Sequence, residues 1–141
     1  VEAVALTASL VLAADDPAQL ASFYSALVQV PAEAGLSATH WRVPLPAAGH
    51  LEIYRPSRSR PLPRQSGRLA LCLRRSAPGA DAMARLDAWI AEATGLGATA
   101  VEPPRQEPFG AEVWLLDPEG NRLLLLVAPA HPRDPTDAAL R

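Results

Sequence analysis

Residues 117–127, DPEGNRLLLLV, couple a turn to a strand. Asp117-Pro118-Glu119-Gly120 has proline second and glycine fourth, as a type I turn prefers, and the apolar run behind it has the length of a buried strand. Working outward, AEVWLLD at 111–117 is the strand that enters the turn and NRLLLLV at 121–127 the strand that leaves it. ATAVE, residues 98–102, is a shorter strand, and residues 80–94 form a helix with Met83, Leu86, Trp89 and Ile90 on its apolar side. RLALCLR at 68–74 opens this half of the chain as a strand. GLGATA, residues 95–100, fits a loose dinucleotide-loop pattern, but it follows a helix instead of a strand and reads as a helix cap and turn.

The first half repeats the same order. VALTASLVLA at 4–13 is extended, and DDPAQLASFYSALV at 15–28 is a helix capped by Asp15 or Asp16, with Pro17 in its first turn. THWRVPL at 39–45 and HLEIYR at 50–55 are strands, with a weak further strand between Ala32 and Leu36. PSRSRPLPRQSG, residues 56–67, has the proline, serine and arginine content of an exposed linker, and its arginines carry little prospect of docking an acidic partner. Two halves of strand–helix–strand–strand–strand indicate an internal duplication. The expected organisation is a single domain over 1–128, with modules at 4–55 and 68–128, followed by a mobile tail at 129–141.

Composition narrows the function. A chain of 141 residues, 49% hydrophobic, is one folded globular domain. Net charge −2 and dispersed arginines argue against nucleic acid, which needs clustered positive charge. All thirteen basic residues are arginine, which removes Schiff-base, phosphate-loop and serine–lysine chemistry. No G-x-S-x-G elbow exposes a serine nucleophile. Cys72, the single cysteine, excludes an internal disulfide and sits between leucines as core filling. No apolar run is long enough to span a bilayer and the start lacks a secretion signal, so no membrane and a cytoplasmic location are expected.

DDPAQLASFYSALV, with an Asp followed seven residues later by Phe-Tyr, and DPEGNRL together resemble the vicinal oxygen chelate superfamily. That superfamily includes glyoxalase I, extradiol dioxygenases and bleomycin-resistance proteins. The resemblance covers residues 4–128 and implies an α+β fold, in which two βαβββ modules form a curved eight-stranded mixed sheet around one cavity, each covered outside by a helix. A homodimer follows by the same analogy.

Strand alternation then sorts the faces. Ala8, Leu10, Leu12, Leu51, Ile53, Trp41, Val43 and Leu45 go to the first helix, leaving Thr7, Ser9, Val11, His40, Arg42, His50, Glu52 and Tyr54 inward. In the second half Leu69, Leu71 and Leu73 go under the helix, leaving Arg68, Ala70, Cys72 and Arg74 inward. The family's metal-using members hold an ion with side chains on the first, fourth, fifth and eighth strands. The resemblance places Ser9, Glu52, Arg68 and Leu124 at those positions. Serine is a poor ligand, arginine repels a cation and leucine has no donor atom, so one ligand of four remains.

The reading that follows is a protein binding a small organic molecule, anionic or carbonyl-bearing, in the cavity between the modules, with no metal or other cofactor. Ser9, His40, Arg42, His50, Glu52, Tyr54, Arg68, Trp114 and Leu124 are its candidate ligand-binding residues. Glu52 is the best catalytic candidate, and it is expected to meet a guanidinium, from Arg42 or Arg68, where a metal would have been. Tyr54 and Trp114 offer stacking surfaces; Trp114 is singled out because it shares parity with Leu116 and sits three residues before the turn. Three alternatives stay open. They are a divalent-metal lyase, isomerase or dioxygenase using Glu52 with His40 or His50; a metal-free enzyme with Glu52 as base to a substrate held by Arg68; and an interaction module using a sheet edge.

Overall fold

A computed structural model describes residues 8–46, 49–58 and 69–130. The chain divides into two compact units, 1–65 and 66–141.

In the first unit, strand β1 (Ser9–Ala13) leads into helix α1 (Pro17–Val28), followed by β2 (Glu33–Ala34), β3 (His40–Pro44) and β4 (His50–Tyr54). Asp16, of the two aspartates, is the cap: its Oδ1 accepts the Gln19 N–H at 3.1 Å, and Pro17 begins the helix where its missing N–H costs nothing. The helix ends at Gln29, whose φ of 60° is left-handed. Ser25 closes that end, its carbonyl accepting from Val30 N–H at 3.1 Å and its hydroxyl donating to the Val30 carbonyl at 2.6 Å. The sheet order is β1-β4-β3-β2, with β1 and β4 parallel and the other pairs antiparallel. Leu20, Phe23, Tyr24 and Leu27 of the helix are buried with Val43, Leu51 and Ile53 of the sheet. Each such side chain contributes about 1.5–3 kcal/mol by leaving water. The alternation predicted for β3 and β4 therefore holds, and it turns His40, Arg42, His50 and Glu52 to the opposite face.

In the second unit, β5 (Leu71–Ser76) is followed by a short 3-10 turn at Gly79–Asp81 and helix α2 (Ala82–Leu96). Then come β6 (Thr99–Ala100), β7 (Arg105–Glu107), β8 (Gly110–Leu116) and β9 (Arg122–Ala128). The sheet order is β5-β9-β8-β6, with β7 also on β8 and with β5 parallel to β9. Leu86, Trp89 and Ala93 of α2 are buried with Val113, Leu115, Leu123, Leu125 and Val127. The helix stops where Gly97, at φ 122°, donates its N–H to the carbonyls of Ala93 and Thr94, so GLGATA is a cap and turn. Asp117 organises the turn between β8 and β9: its Oδ1 accepts from the N–H groups of Glu119 and Asn121, both at 2.9 Å, and Gly120 N–H closes onto the Asp117 carbonyl at 2.9 Å.

Several expectations shift. The strand expected at 68–74 begins at Leu71, and Leu69, assigned to the helix side, is 77% exposed because it lies ahead of the ladder. Met83 and Ile90 are only half-buried, since Ala82 and Ala93 take the positions nearest the sheet. Cys72 is exposed and does not fill a core. Nine strands are formed among the described residues, against the eight expected, because the edge partner of β8 is split. Pro103 and Pro104 lack N–H donors and interrupt it between β6 and β7. β7 follows directly after those two prolines. Residues 59–67 of the linker expected at 56–67, Thr7, Arg68, and residues 131–141 of the tail expected at 129–141 lie outside the described residues.

Candidate functional site

The register of the first sheet sets Glu33, Arg42, Glu52 and Val11 in one row across β2, β3, β4 and β1. His40 lies opposite Tyr54, and Ser9 lies opposite His50, on the same face. Three of the expected residues converge. Arg42 Nε donates to Glu52 Oε1 at 2.7 Å, and His40 Nε2 lies 2.6 Å from Glu52 Oε2, so each carboxylate oxygen has its own partner. Desolvation raises the Glu52 carboxyl, but the hydrogen bonds from Arg42 and then His40, with their charges, outweigh it and hold the group below its ordinary value. Arg42 uses only Nε: among the described residues its Nη1 and Nη2 have no hydrogen-bond partner, and the side chain is 37% exposed. His50 stands apart from the trio, with Glu33 its nearest carboxylate at 4.0 Å. Ser9 is exposed, and Tyr54, at 9% exposure, presents little ring surface to a ligand.

In the second sheet, Leu124 pairs with Cys72 on one side and Trp114 on the other, on the face away from α2. Leu124 and Trp114 are half-buried. The Cys72 thiol is pushed up by desolvation and then by the Glu112 charge, against a smaller pull from Arg74, so it is poorly ionised at neutral pH. A cluster missed in the sequence lies along the β7–β8 edge. Arg105 Nη1 pairs with Glu102, Nη2 donates to Glu112 at 2.8 Å, and Nε is 3.7 Å from Glu107. Glu102 also accepts the Trp114 N–H at 3.0 Å, in the gap between β6 and β7 where Trp114 has no ladder partner on that side. That backbone bond, ahead of the salt bridge to Arg105, holds Glu102 below its ordinary pKa. The available signal was the alternation of Arg105 with Glu107 and of Glu112 with Trp114, obscured by the prolines around them.

A divalent ion fits poorly on the positions the superfamily uses. Leu124 offers no donor, Ser9 offers a hydroxyl, and both oxygens of Glu52 are engaged by cationic or N–H groups. Among the described residues no three His, Cys, Asp or Glu side chains are grouped to hold a metal.

A family model described as a glyoxalase-like domain matches residues 9–126. The chain belongs to the glyoxalase-like domain family. Solved structures similar to this glyoxalase-like chain include a glyoxalase/bleomycin resistance protein from Albidiferax ferrireducens, at 23% identity over 86% of this chain and 97% of that one, with a TM-score of 0.63. A glyoxalase-related enzyme from Fulvimarina pelagi is 15% identical over 94% of both chains, with a TM-score of 0.72. An antibiotic binding protein from Streptomyces is 20% identical over 90% of this chain and 98% of that one, with a TM-score of 0.59. At such identities the likeness shows the glyoxalase-like fold alone; the family model over residues 9–126 is what supports membership of the vicinal oxygen chelate superfamily. No curated protein matches the sequence. Among the described residues no helix is long and apolar enough to cross a membrane.

Proposed function

We propose that this glyoxalase-like protein binds a small organic molecule through a carbonyl or carboxylate group, without a catalytic metal, and that Arg42 is the principal recognition group. The observation that carries the reading is the state of the Arg42 guanidinium. Its Nε is fixed on Glu52, its Nη groups have no hydrogen-bond partner among the described residues, and the side chain is 37% exposed on the polar sheet face. A guanidinium so oriented is a ready-made fork for a planar oxygen pair, and its ordering has been achieved before ligand arrives. Because Glu52 neutralises the same arginine, the face favours a ligand with one carbonyl or carboxylate over a multiply charged anion. His50 supplies a further donor or acceptor on that face. The antibiotic-binding neighbour lends support by example: this fold serves to hold an organic molecule there.

The test is native mass spectrometry of the protein as isolated, followed by a thermal-shift screen of carbonyl- and carboxylate-bearing small molecules. The reading expects a one-to-one organic ligand whose stabilisation is lost in Arg42→Gln. A ligand bound equally well by that variant would reject Arg42 as its anchor.

A further inference from the structure

The His40 imidazole is seated in the turn that precedes its own strand. Gly35 N–H donates to the His40 carbonyl at 2.9 Å, His40 N–H donates to the Ser37 carbonyl at 3.1 Å, and Leu36 N–H donates to His40 Nδ1 at 2.9 Å. A Cβ on residue 35 would fall 2.5 Å from Nδ1 and 2.7 Å from the His40 carbonyl oxygen, closer than real Cβ contacts come. Only glycine leaves room for the ring at this depth.

These contacts decide where the imidazole proton sits. A backbone N–H aimed at Nδ1 requires a lone pair there, and neutral imidazole has one nitrogen of each kind. The proton is then on Nε2, which faces Glu52 Oε2 at 2.6 Å, an atom able only to accept while ionised. Both ring nitrogens are committed, one to receive and one to give.

We propose that Gly35 and the Leu36 N–H are positioning groups that lock His40 as its Nε2–H tautomer, making it a donor to Glu52. So held, His40 has no lone pair left for a metal ion or for a substrate proton. Its bond to Oε2 leaves Oε1 as the acceptor that orients Arg42. The consequence for ligand recognition rests on the function proposed above; the tautomer itself does not.

The experiment is nitrogen-15 NMR of histidine- and backbone-labelled protein at about pH 8, above the ordinary imidazole pKa of roughly 6.5. The expected spectrum has Nδ1 unprotonated, Nε2 protonated, and a nitrogen–nitrogen coupling across the Leu36 N–H to Nδ1 bond. Gly35→Ala should abolish that coupling and mix the tautomers, whereas Gly79→Ala, at a position with nothing within 4 Å of the added carbon, should leave both unchanged. A protonated Nδ1, a missing coupling in the unaltered protein, or an unchanged spectrum in Gly35→Ala would overturn the proposal. The spectrum of the unaltered protein decides even where Gly35→Ala does not fold. An Nε2–H spectrum together with full ligand affinity in Arg42→Gln would leave this inference standing and remove the proposed function alone.

Discussion

Arg42 and Arg105 are each paired across the ladder to a glutamate, Glu52 and Glu112, Arg42 from the inner strand β3 and Arg105 from the edge strand β7. Their surroundings differ in kind. Arg105 meets Glu102, Glu112 and Glu107 with all three nitrogens of its guanidinium. Arg42 meets one carboxylate with one nitrogen, and that carboxylate is shared with an imidazole. A saturated guanidinium ties segments together; one held by a single edge keeps its remaining donors for another molecule. Of these two arginines, Arg42 alone keeps guanidinium donors without a partner among the described residues.

The largest effect should come from removing those donors. Arg42→Gln is expected to weaken ligand binding by about 1.5–3 kcal/mol, roughly 10- to 150-fold, the range for hydrogen bonds to a charged group. Calorimetric titration with the ligand found by screening would measure it. Arg105→Ala should leave that affinity unchanged, and equal losses in both variants would erase the distinction between the two arginines.

Glu52→Gln comes next. Its side chain is 19% exposed, between the buried and surface limits, so the loss of its charge and of one of its two acceptor oxygens should cost about 1–3 kcal/mol in urea denaturation. The pH dependence has a definite sign. Glu52 titrates lower in the folded chain than its ordinary 4.5, so its contribution is complete above that value and fades as pH falls through the lowered folded pKa. Glu52→Gln should therefore flatten the acid limb of the stability curve, and an acid limb identical to that of the unaltered protein would contradict the pairing.

Arg105→Ala should act locally. Amide hydrogen exchange is expected to quicken along β7 and at Trp114, whose N–H depends on Glu102, while α1 and its sheet keep their protection. The smallest effect concerns Gln29, a non-glycine residue at positive φ. Gln29→Gly should stabilise by about 0.5–1 kcal/mol through relief of left-handed strain, as read by urea denaturation.

Much of this was legible in the chain itself. The alternation HWRVP and HLEIY fixed which side chains share the polar face, because burial of Val43, Leu51 and Ile53 permits a single register. The turn signature at 117–120 likewise located the β8–β9 hairpin. The meeting of Glu52 with a guanidinium was foreseen without the choice of partner, which depends on the pairing of β3 with β4. Other features depend on contacts that periodicity does not encode. The seat of His40 in residues 35–37 is a close approach of backbone to ring, visible only once the turn is built. Leu69 misled because its parity matches Leu71 although the ladder has not begun there. The Arg105 cluster hid behind prolines, which signal interruption of the edge strand but not that the Glu102 side chain takes the Trp114 N–H in the gap.

The most direct test of the account is a divalent-metal titration of the purified protein, with zinc, nickel and manganese in turn, followed by elemental analysis after dialysis. With both Glu52 oxygens already engaged and leucine at 124, no stoichiometric ion should be retained, and the unaltered protein and Glu52→Gln should not differ. One ion retained per chain, and lost in Glu52→Gln, would contradict it.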